Sequence, residues 1–431
     1  MSDSMTIIEM RVTPIALTDP PLRSAFGLHA PYALRTIIEL VTDTGITGIS
    51  ETHGGDAVLQ DLEAARSLII GSNPYHLSRL EYLLRGEESG HGRTDVQPWE
   101  GKVGSPARTF GAIEVACLDI IGQATGQPLC NLLGGRFRES VPFSAYLFYK
   151  HAGIGGTDGL GPDSAAARER DDYLTREALD AASLVRQAQE MCEQYGFQSL
   201  KLKGGVLPPD QEVQTIFALR EAFGPDTPLR IDPNAVWSVP TAVRCGQEMA
   251  GVLEYYEDPV QGKEAMAEVA RQVAMPLATN MCCTKFTDLP ESIRLGSIQI
   301  LLSDHHLWGG LMNSVKVAKI CEVWGIGLSM HSNSHLGISL LAMTHLAAAI
   351  PNLTYACDTH YPWQTEEVLE CGKIRFVDGS LPVPTTPGLG AKLDQDALAA
   401  LHENYIRCGL TCRDDVLEMQ KVEPGWKVRT W

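Results

Sequence analysis

From about Pro142 onwards the chain repeats one unit, a short β-rich run followed by a stretch with the periodicity of an α-helix. This alternation is typical of parallel strands, because the return path between two parallel strands is long enough to need a crossover helix. Eight β-rich runs can be counted, at residues 143–149, 199–203, 228–232, 253–257, 276–280, 298–303, 327–331 and 355–358. They predict a closed α/β barrel of the TIM type.

The segment before the barrel follows a different pattern. Residues 6–13 and 34–50 resemble strands joined by Gly/Asp turns, and residues 57–70 and 106–125 have helical periodicity. We therefore expect an opening α+β domain. With 431 residues, 44% of them hydrophobic and 20% charged, the chain is long and apolar enough for both units to form packed cores.

Composition excludes several classes of function. The formal net charge of -18 argues against nucleic-acid binding, because neutralising phosphates requires a basic surface. The apolar run at 338–350 is interrupted by polar residues and is shorter than the ~18 residues of a membrane span. The first residues lack a basic start followed by an apolar segment, and the 11 cysteines form no Cys-x-x-Cys motif. We therefore expect a cytoplasmic protein with reduced thiols that binds neither nucleic acid nor membrane.

Polar residues that can do chemistry end seven of the β-rich runs. Taken singly, Asp-Pro-Asn is usually a turn and Glu-Asp-Pro a strand stop. Seven on successive strands favour an active site, because the strand ends of such a barrel converge on one mouth. The residues are Lys201 and Lys203, Asp232 and Asn234, Glu257 and Asp258, Thr279 and Asn280, Ser303 and Asp304, His331 to Asn333, and Asp358 to His360.

Oxygen donors end three consecutive strands. Asp232, Glu257 and Asn280 suit a hard divalent cation such as Mg²⁺ that keeps positions open for water or substrate. In the alternative interpretation the two carboxylates pair with Lys201 and Lys203.

These two lysines point to the same face of their strand, since strand side chains alternate with a period of two. Two close cations lower each other's pKa, so one amine could accept a proton near pH 7. Two solvated surface lysines are the alternative.

Asp304 and His331 end the sixth and seventh runs, opposite the lysine pair in an eight-stranded barrel. A carboxylate bound to one imidazole nitrogen fixes the tautomer and raises the basicity of the other nitrogen. His305, His306 and His335 lie nearby in the chain and leave a zinc site as an alternative.

A divalent cation between two such bases is suited to removing a proton next to a carboxylate, because the cation stabilises the resulting enediolate. With a hydroxyl on the next carbon, protonated His331 would assist its departure and water would be eliminated. Without one, reprotonation from the other face would give racemisation.

Together these motifs resemble those of the enolase superfamily, mandelate-racemase branch, and most closely those of the glucarate dehydratases. The resemblance runs from about residue 5 to the end of the chain. The segments that carry it are AYLFY (145–149), YGF (195–197), LKLKGG (200–205), DPN (232–234), ATNM (278–281), HSN (331–333), DTH (358–360) and RDD (413–415).

The resemblance implies a modified (β/α)7β barrel at residues 139–390. Residues 1–138 would form an α+β capping domain, to which a C-terminal tail, residues 391–431, returns. Mg²⁺, a homo-oligomer, and dehydration of an acid sugar such as D-glucarate or L-idarate to a keto-deoxy acid are also implied. The alternatives are a related aldonate such as L-lyxonate as substrate, an epimerase or racemase, and a non-catalytic sugar-acid binder.

The resemblance also implies roles for individual residues. Lys203 would be one base, His331 with Asp304 the other, and Lys201 would contact the substrate carboxylate. Substrate oxygens would be polarised by Asn234 and Asn333. Mg²⁺ would be held by Asp232, Asn280 and Glu257, with Glu264 in place of Glu257 as the fallback. The sugar pocket would be lined by His29, Tyr146, Ser332, His360 and Arg413.

Two departures from the glucarate dehydratase pattern concern the metal and the sugar. Residues 260–264 are shorter than the corresponding stretch and lack an acid at the expected place. Ser24 stands where those enzymes have an asparagine. A Gly-rich loop at 87–95 is either a mobile lid or a solvated turn.

Overall fold

The computed structural model describes residues 5–85, 105–156 and 170–431. The loop at 87–95, for which the sequence left two interpretations, lies outside the described residues. Across the three described ranges, no helix is both long and apolar enough to cross a membrane.

The N-terminal unit is a three-stranded antiparallel sheet covered by three helices. Its strands are β1 (Ile7–Thr18), β4 (Tyr32–Thr42) and β5 (Thr47–His53), with β4 in the centre, and a short hairpin of β2 (Arg23–Ser24) and β3 (Gly27–Leu28) lies between β1 and β4 in the chain. The helices are α1 (Asp56–Ile69), α2 (Leu77–Arg85) and α3 (Pro106–Thr125). They bury one apolar core against the sheet, which includes Ile38, Leu62 and Ile113. A short α4 (Leu129–Leu132) leads to the barrel.

Eight parallel strands follow and fall on the eight predicted runs. They are β6 (Ser140–Phe148), β7 (Leu200–Lys203), β8 (Leu229–Asp232), β9 (Tyr255–Glu257), β10 (Leu277–Thr279), β11 (Ile300–Ser303), β12 (Gly327–Met330) and β13 (Cys357–Asp358). The order around the sheet is β12-β11-β10-β9-β8-β7-β6-β13. The antiparallel strand β14 (Ser380–Pro382) pairs with β6 outside this ring.

The barrel nearly closes between its last two strands. The amides of Thr354 and Tyr355 both donate to the carbonyl of Leu328, and Ser329 Oγ donates to the carbonyl of Ala356. These bonds join β12 to the segment just before β13, so the seam is bridged without a regular ladder.

Crossover helices cover the barrel, as the alternating pattern predicts. They are α5 (Ala181–Tyr195), α6 (Pro209–Phe223), α7 (Val239–Glu248), α8 (Lys263–Ala270), α9 (Leu289–Leu295), α10 (His305–Trp308), α11 (Leu311–Trp324) and α12 (Gly337–Ala349). The last, α12, is buried along its whole length, which explains why its sequence is apolar on every face.

The C-terminal segment returns to the N-terminal unit. It contains α13 (Gln395–Cys408) and α14 (Asp415–Val422). His402 Nδ1 donates to the carbonyl of Pro14 at 2.7 Å, and Met419 packs with Leu28 and Trp426. The predicted fold class, a modified barrel with an α+β cap, is confirmed, while the residue boundaries of its domains stay a prediction.

Candidate active site

Two lysines and three carboxylates share the centre of the barrel mouth. Lys203 Nζ lies 2.6 Å from Asp232 Oδ2 on the neighbouring strand. Lys201 Nζ lies 2.5 Å from Glu257 Oε2 and 2.6 Å from Asp358 Oδ2. Lys201, Asp232, Glu257 and Asp358 are each 0% exposed. The parallel register brings these strand ends to one edge, so residues far apart in the chain meet there.

The expected lowering of a lysine pKa is wrong in this structure. Burial alone would lower the pKa of Lys201, but Asp358 and Glu257 raise it well above its usual value. Burial is likewise outweighed at Lys203, where Asp232 raises the pKa above its usual value. Three carboxylates from other strands surround the two ammonium groups, and their attraction outweighs the mutual repulsion of the two cations.

The same carboxylates fit a hard cation. Burial raises the pKa of Glu257 well above its usual value, and nearby Asp232 and Asp358 raise it further although Lys201 opposes them. Glu257 Oε1 has no hydrogen-bond or ion-pair partner among the described residues, whereas Oε2 is in contact with the Lys201 ammonium. Buried oxygens of this kind are suitable ligands for Mg²⁺. Asn280 is half-buried directly after β10, where it could add a third oxygen.

Glu264, the alternative metal ligand, is not buried with the other carboxylates. Glu264 lies in the first turn of α8 and is exposed to solvent. Glu257, at the end of β9, is therefore the better choice of the two glutamates, because it is buried close to Asp232. The alternative pairing of carboxylates with lysines is also present, as the short contacts to Lys201 and Lys203 show.

Opposite the lysines, one carboxylate binds two imidazoles. His331 Nδ1 donates to Asp304 Oδ2 and His306 Nδ1 donates to Asp304 Oδ1, each at 2.9 Å. Burial would raise the pKa of Asp304, but His306 and His331 together hold it well below its usual range. Asp304 is thus an anion that fixes the His331 ring. Since β7 and β11 are four strands apart in a ring of eight, this pair faces the lysine strand.

The structure contains part of the ligand arrangement that the alternative zinc site would need. Ligand atoms of Asp304, His305 and His306 lie within 4.8 Å of one another. The other ring nitrogen of His306, however, lies 3.2 Å from both the carbonyl of Glu51 and Ser339 Oγ, so protein groups already occupy both of its nitrogens. His335 does not join the group and instead contacts Ser332 Oγ at 3.0 Å.

A buried polar network from the cap holds Asn333, and sequence reasoning missed it. Arg35 Nη1 donates to Asn333 Oδ1 at 3.1 Å, and Asn333 Nδ2 donates to His53 Nε2 at 3.0 Å. Arg35 Nε in turn donates to Glu51 Oε1 at 2.7 Å, and Glu51 also accepts the amides of Leu336 and Ser339. The available signal was Arg35, a charged residue within the largely apolar sequence of β4.

A cavity of about 150 Å³ opens above these groups. It is lined by many of the predicted site residues, namely His29, Tyr146, Lys203, Asn234, His331, Ser332, Asn333, His360 and Arg413. Lys201 is not among the lining residues, because it lies buried beneath them. Further lining residues that the site prediction did not include are Ser24, Phe26, Phe148, Ser334 and Asp415.

The wall formed by the cap and the C-terminal segment is rich in charge. Arg413 Nε and Nη2 donate to the two carboxylate oxygens of Asp415, so its guanidinium is held as a fixed fork. Asp19 lies behind this wall, with Oδ2 at 3.1 Å from His29 Nδ1 and Oδ1 at 4.0 Å from His360 Nε2.

The backbone at the mouth contains left-handed residues that are not glycine. Asn234 has φ 53°, Ala235 φ 61° and Asp258 φ 34°. The amide of Ala235 donates to the carbonyl of Asp258 at 2.7 Å, which ties the ends of β8 and β9 together. Conformations of this kind collect at functional sites, where neighbouring structure holds them.

Comparisons of the chain with known proteins agree on one family. Residues 183–397 match the model of the "Enolase C-terminal domain-like" family. The chain is 44% identical to a probable glucarate dehydratase of Streptomyces coelicolor, over 99% of this chain and 98% of that protein. A crystal structure of an enolase from Mycobacterium smegmatis complexed with tartrate has a TM-score of 0.91 and 48% identity, with 100% of both chains covered.

A second solved structure carries a metal. It is an enolase from Thermobispora bispora complexed with magnesium and formate, with a TM-score of 0.90, 50% identity, and coverage of 99% of this chain and 100% of that one. The matched domain, the relatives and the barrel agree with the resemblance drawn from the strand-end motifs. The chain belongs to the enolase superfamily, in the branch that contains the mandelate racemases and muconate-lactonising enzymes.

Proposed function

We propose that this protein is a Mg²⁺-dependent hydro-lyase that converts an acid sugar, D-glucarate or L-idarate, into a keto-deoxy acid. The observation that carries the proposal is that Lys203 and the Asp304-supported His331 line one cavity from roughly opposite sides of the barrel. The similarity to a probable glucarate dehydratase and to a tartrate-bound enolase supports a hydroxylated acid as substrate.

The metal would be held by Asp232, Glu257 and Asn280, and the magnesium in a similar enolase supports the choice of Mg²⁺ as the cation. When bound, Mg²⁺ would supply Lewis-acid stabilisation of negative charge on the substrate carboxylate. The contact proposed between Lys201 and that carboxylate requires Lys201 to exchange its present partners, Glu257 and Asp358.

Lys203 and His331 would serve the two faces of the carbon next to the carboxylate. One of them takes the proton as the carbon–hydrogen bond breaks; for Lys203 this requires that Asp232, which raises its pKa in this structure, gives up its contact with the ammonium. Protonated His331 then gives a proton to the hydroxyl on the next carbon, so this group leaves as water and the resulting enol becomes the ketone. Asn234 and Asn333 would donate to substrate oxygens, and their place in the cavity lining supports this role. The outcome is one keto-deoxy acid and one water per acid sugar.

The proposal is tested by incubating the purified protein and Mg²⁺ with a panel of aldarates and aldonates and detecting 2-keto products with semicarbazide. We expect product from glucarate or idarate, and none from the Lys203→Met and His331→Gln variants. His402→Gln is a matched control, because His402 lies on α13 and bonds to Pro14 of the cap. Exchange of the α-proton in D₂O without loss of water would instead identify an epimerase, and an aldonate as the preferred substrate would correct the substrate class.

The assembly is a separate proposal. We expect a homo-oligomer, as the resemblance implies, and light scattering coupled to size-exclusion chromatography would measure its mass. A mass near 46.9 kDa would identify a monomer and refute the expectation.

A further inference from the structure

Asp19 is a buried anion that bridges the cap and the barrel. Its side chain is 1% exposed and follows β1, while its partners His29 and His360 follow β3 and β13. Oδ2 is 3.1 Å from His29 Nδ1, and Oδ1 is 4.0 Å from His360 Nε2. Neither Asp19 Oδ1 nor His360 Nε2 has a hydrogen-bond partner among the described residues, so each of these buried atoms can still form a hydrogen bond.

The two imidazoles line the cavity, whereas Asp19 does not. Their rings stack at 5.9 Å with an interplanar angle of 18°, and Phe148 packs edge-on against both. Because His29 Nδ1 faces Asp19, Nε2 on the other edge of that ring is the nitrogen that can reach a ligand. Asp19 therefore acts on a ligand through the imidazoles and not by contact.

The negative charge of Asp19 affects which nitrogens of the two imidazoles carry a proton. Burial would raise the pKa of Asp19, but His29 and His360 hold it well below its usual range, so it remains an anion. An anion beside an imidazole holds the proton between them, so the free nitrogen of a neutral ring accepts and becomes a donor only when the ring takes up a second proton, which the anion favours. Burial lowers the pKa of His360 to about 4 although Asp19 opposes it, so this second proton has to arrive together with an anionic ligand. The other charged groups on this wall are Arg413 and Asp415, which pair with each other.

We propose that Asp19 is a specificity-determining positioning residue: it orients the His29 and His360 rings and favours their protonation when an anion binds, so that both rings then donate N–H to that anion. The pocket therefore prefers a substrate whose far end is a second carboxylate over one ending in a primary alcohol. The preference arises because a carboxylate accepts charge-assisted hydrogen bonds from these donors, which are about twice as strong as neutral ones. Arg413 also lies on this wall, but Asp415 already occupies its guanidinium fork.

This inference deepens the proposed function and rests on it for the identity of the substrate, but binding can test it separately. Tartrate and threonate form a matched pair, because threonate has a primary alcohol where tartrate has its second carboxylate. Isothermal titration calorimetry of the Mg²⁺-loaded protein gives a Kd for each ligand. We expect the wild type to favour tartrate, and Asp19→Asn to reduce the ratio of the two affinities at least tenfold.

Controls separate positioning from simple loss of structure. Asp43→Asn makes the same change at an exposed turn, where Asp43 accepts the amide of Thr6, and should leave the ratio unchanged. Titration in two buffers of different ionisation enthalpy should show that tartrate binding takes up protons in the wild type and fewer in Asp19→Asn. If Asp19→Asn does not fold, His360→Asn should cause the same loss of preference.

An unchanged affinity ratio in a folded Asp19→Asn protein, or an equal loss for both ligands, would overturn the inference. Those results would leave the dehydratase proposal intact if keto product still forms. Conversely, a collapsed ratio without keto product from any acid sugar would support the role of Asp19 in binding and refute the proposed reaction.

Discussion

Replacing Asp304 with Asn should remove most of the activity while leaving the fold in place. The Asp304 carboxylate accepts from His331 Nδ1 and His306 Nδ1 at 2.9 Å and caps α10 by accepting the amide of His306. Asparagine has nearly the same shape and can still cap the helix. What it lacks is the negative charge that stabilises a protonated His331 ring.

The size of the effect follows from the geometry. The carboxylate and imidazole charges are centred roughly 4 Å apart, and with an effective dielectric constant of about 20 they attract by ~4 kcal/mol. Each ~1.4 kcal/mol is tenfold in rate, so we expect kcat to fall about a thousandfold. The assay is keto-acid formation at saturating acid sugar, with circular dichroism to check the fold. A folded Asp304→Asn protein whose kcat is within tenfold of the wild type would refute the role given to this charge.

Three further predictions concern stability and metal. Glu51→Gln should lower the free energy of unfolding by about 3 kcal/mol or more, because it leaves the Arg35 guanidinium buried without its anion; a loss below 1 kcal/mol in urea denaturation would contradict this. Burial lowers the pKa of His345 to about 4, so wild-type stability should fall as pH drops from about 6.5 to 4 by up to ~3 kcal/mol more than in His345→Gln; parallel pH curves would count against it. Mg²⁺ should raise Tm and EDTA should abolish turnover, whereas equal activity in EDTA would exclude a role for the metal.

The strands of the barrel were predictable because their signal is local. Seven of the eight β-rich runs end in polar residues that can do chemistry, and parallel pairing then brings those ends to one edge. For this reason Lys203, Asp232, Glu257 and His331 could be placed at the mouth from the sequence alone. The Asp304 to His331 contact also followed, since β11 and β12 are neighbours.

The rest of the site depends on how the cap packs, which no local pattern records. Asp19 and His360 are separated by most of the chain, and Arg35 reaches Asn333 across the interface between cap and barrel. The pKa of the lysine pair was predicted in the wrong direction for a related reason, as Lys201 shows. Its sign is set by Asp358 and Glu257, whose distances to the ammonium depend on the closed ring and not on the spacing within one strand.

The left-handed backbone at the mouth has a consequence for engineering this protein. Ala235 has no polar side-chain group, so its φ of 61° is imposed by the bond from its amide to the carbonyl of Asp258. A residue without a Cβ would occupy that conformation with less strain. Ala235→Gly should therefore leave the melting temperature unchanged or raise it slightly. At Asn234, with φ 53°, the same exchange would also delete an amide that faces the ligand. Attempts to raise the thermal stability of the barrel mouth should therefore start at Ala235, one residue after the cavity-lining Asn234.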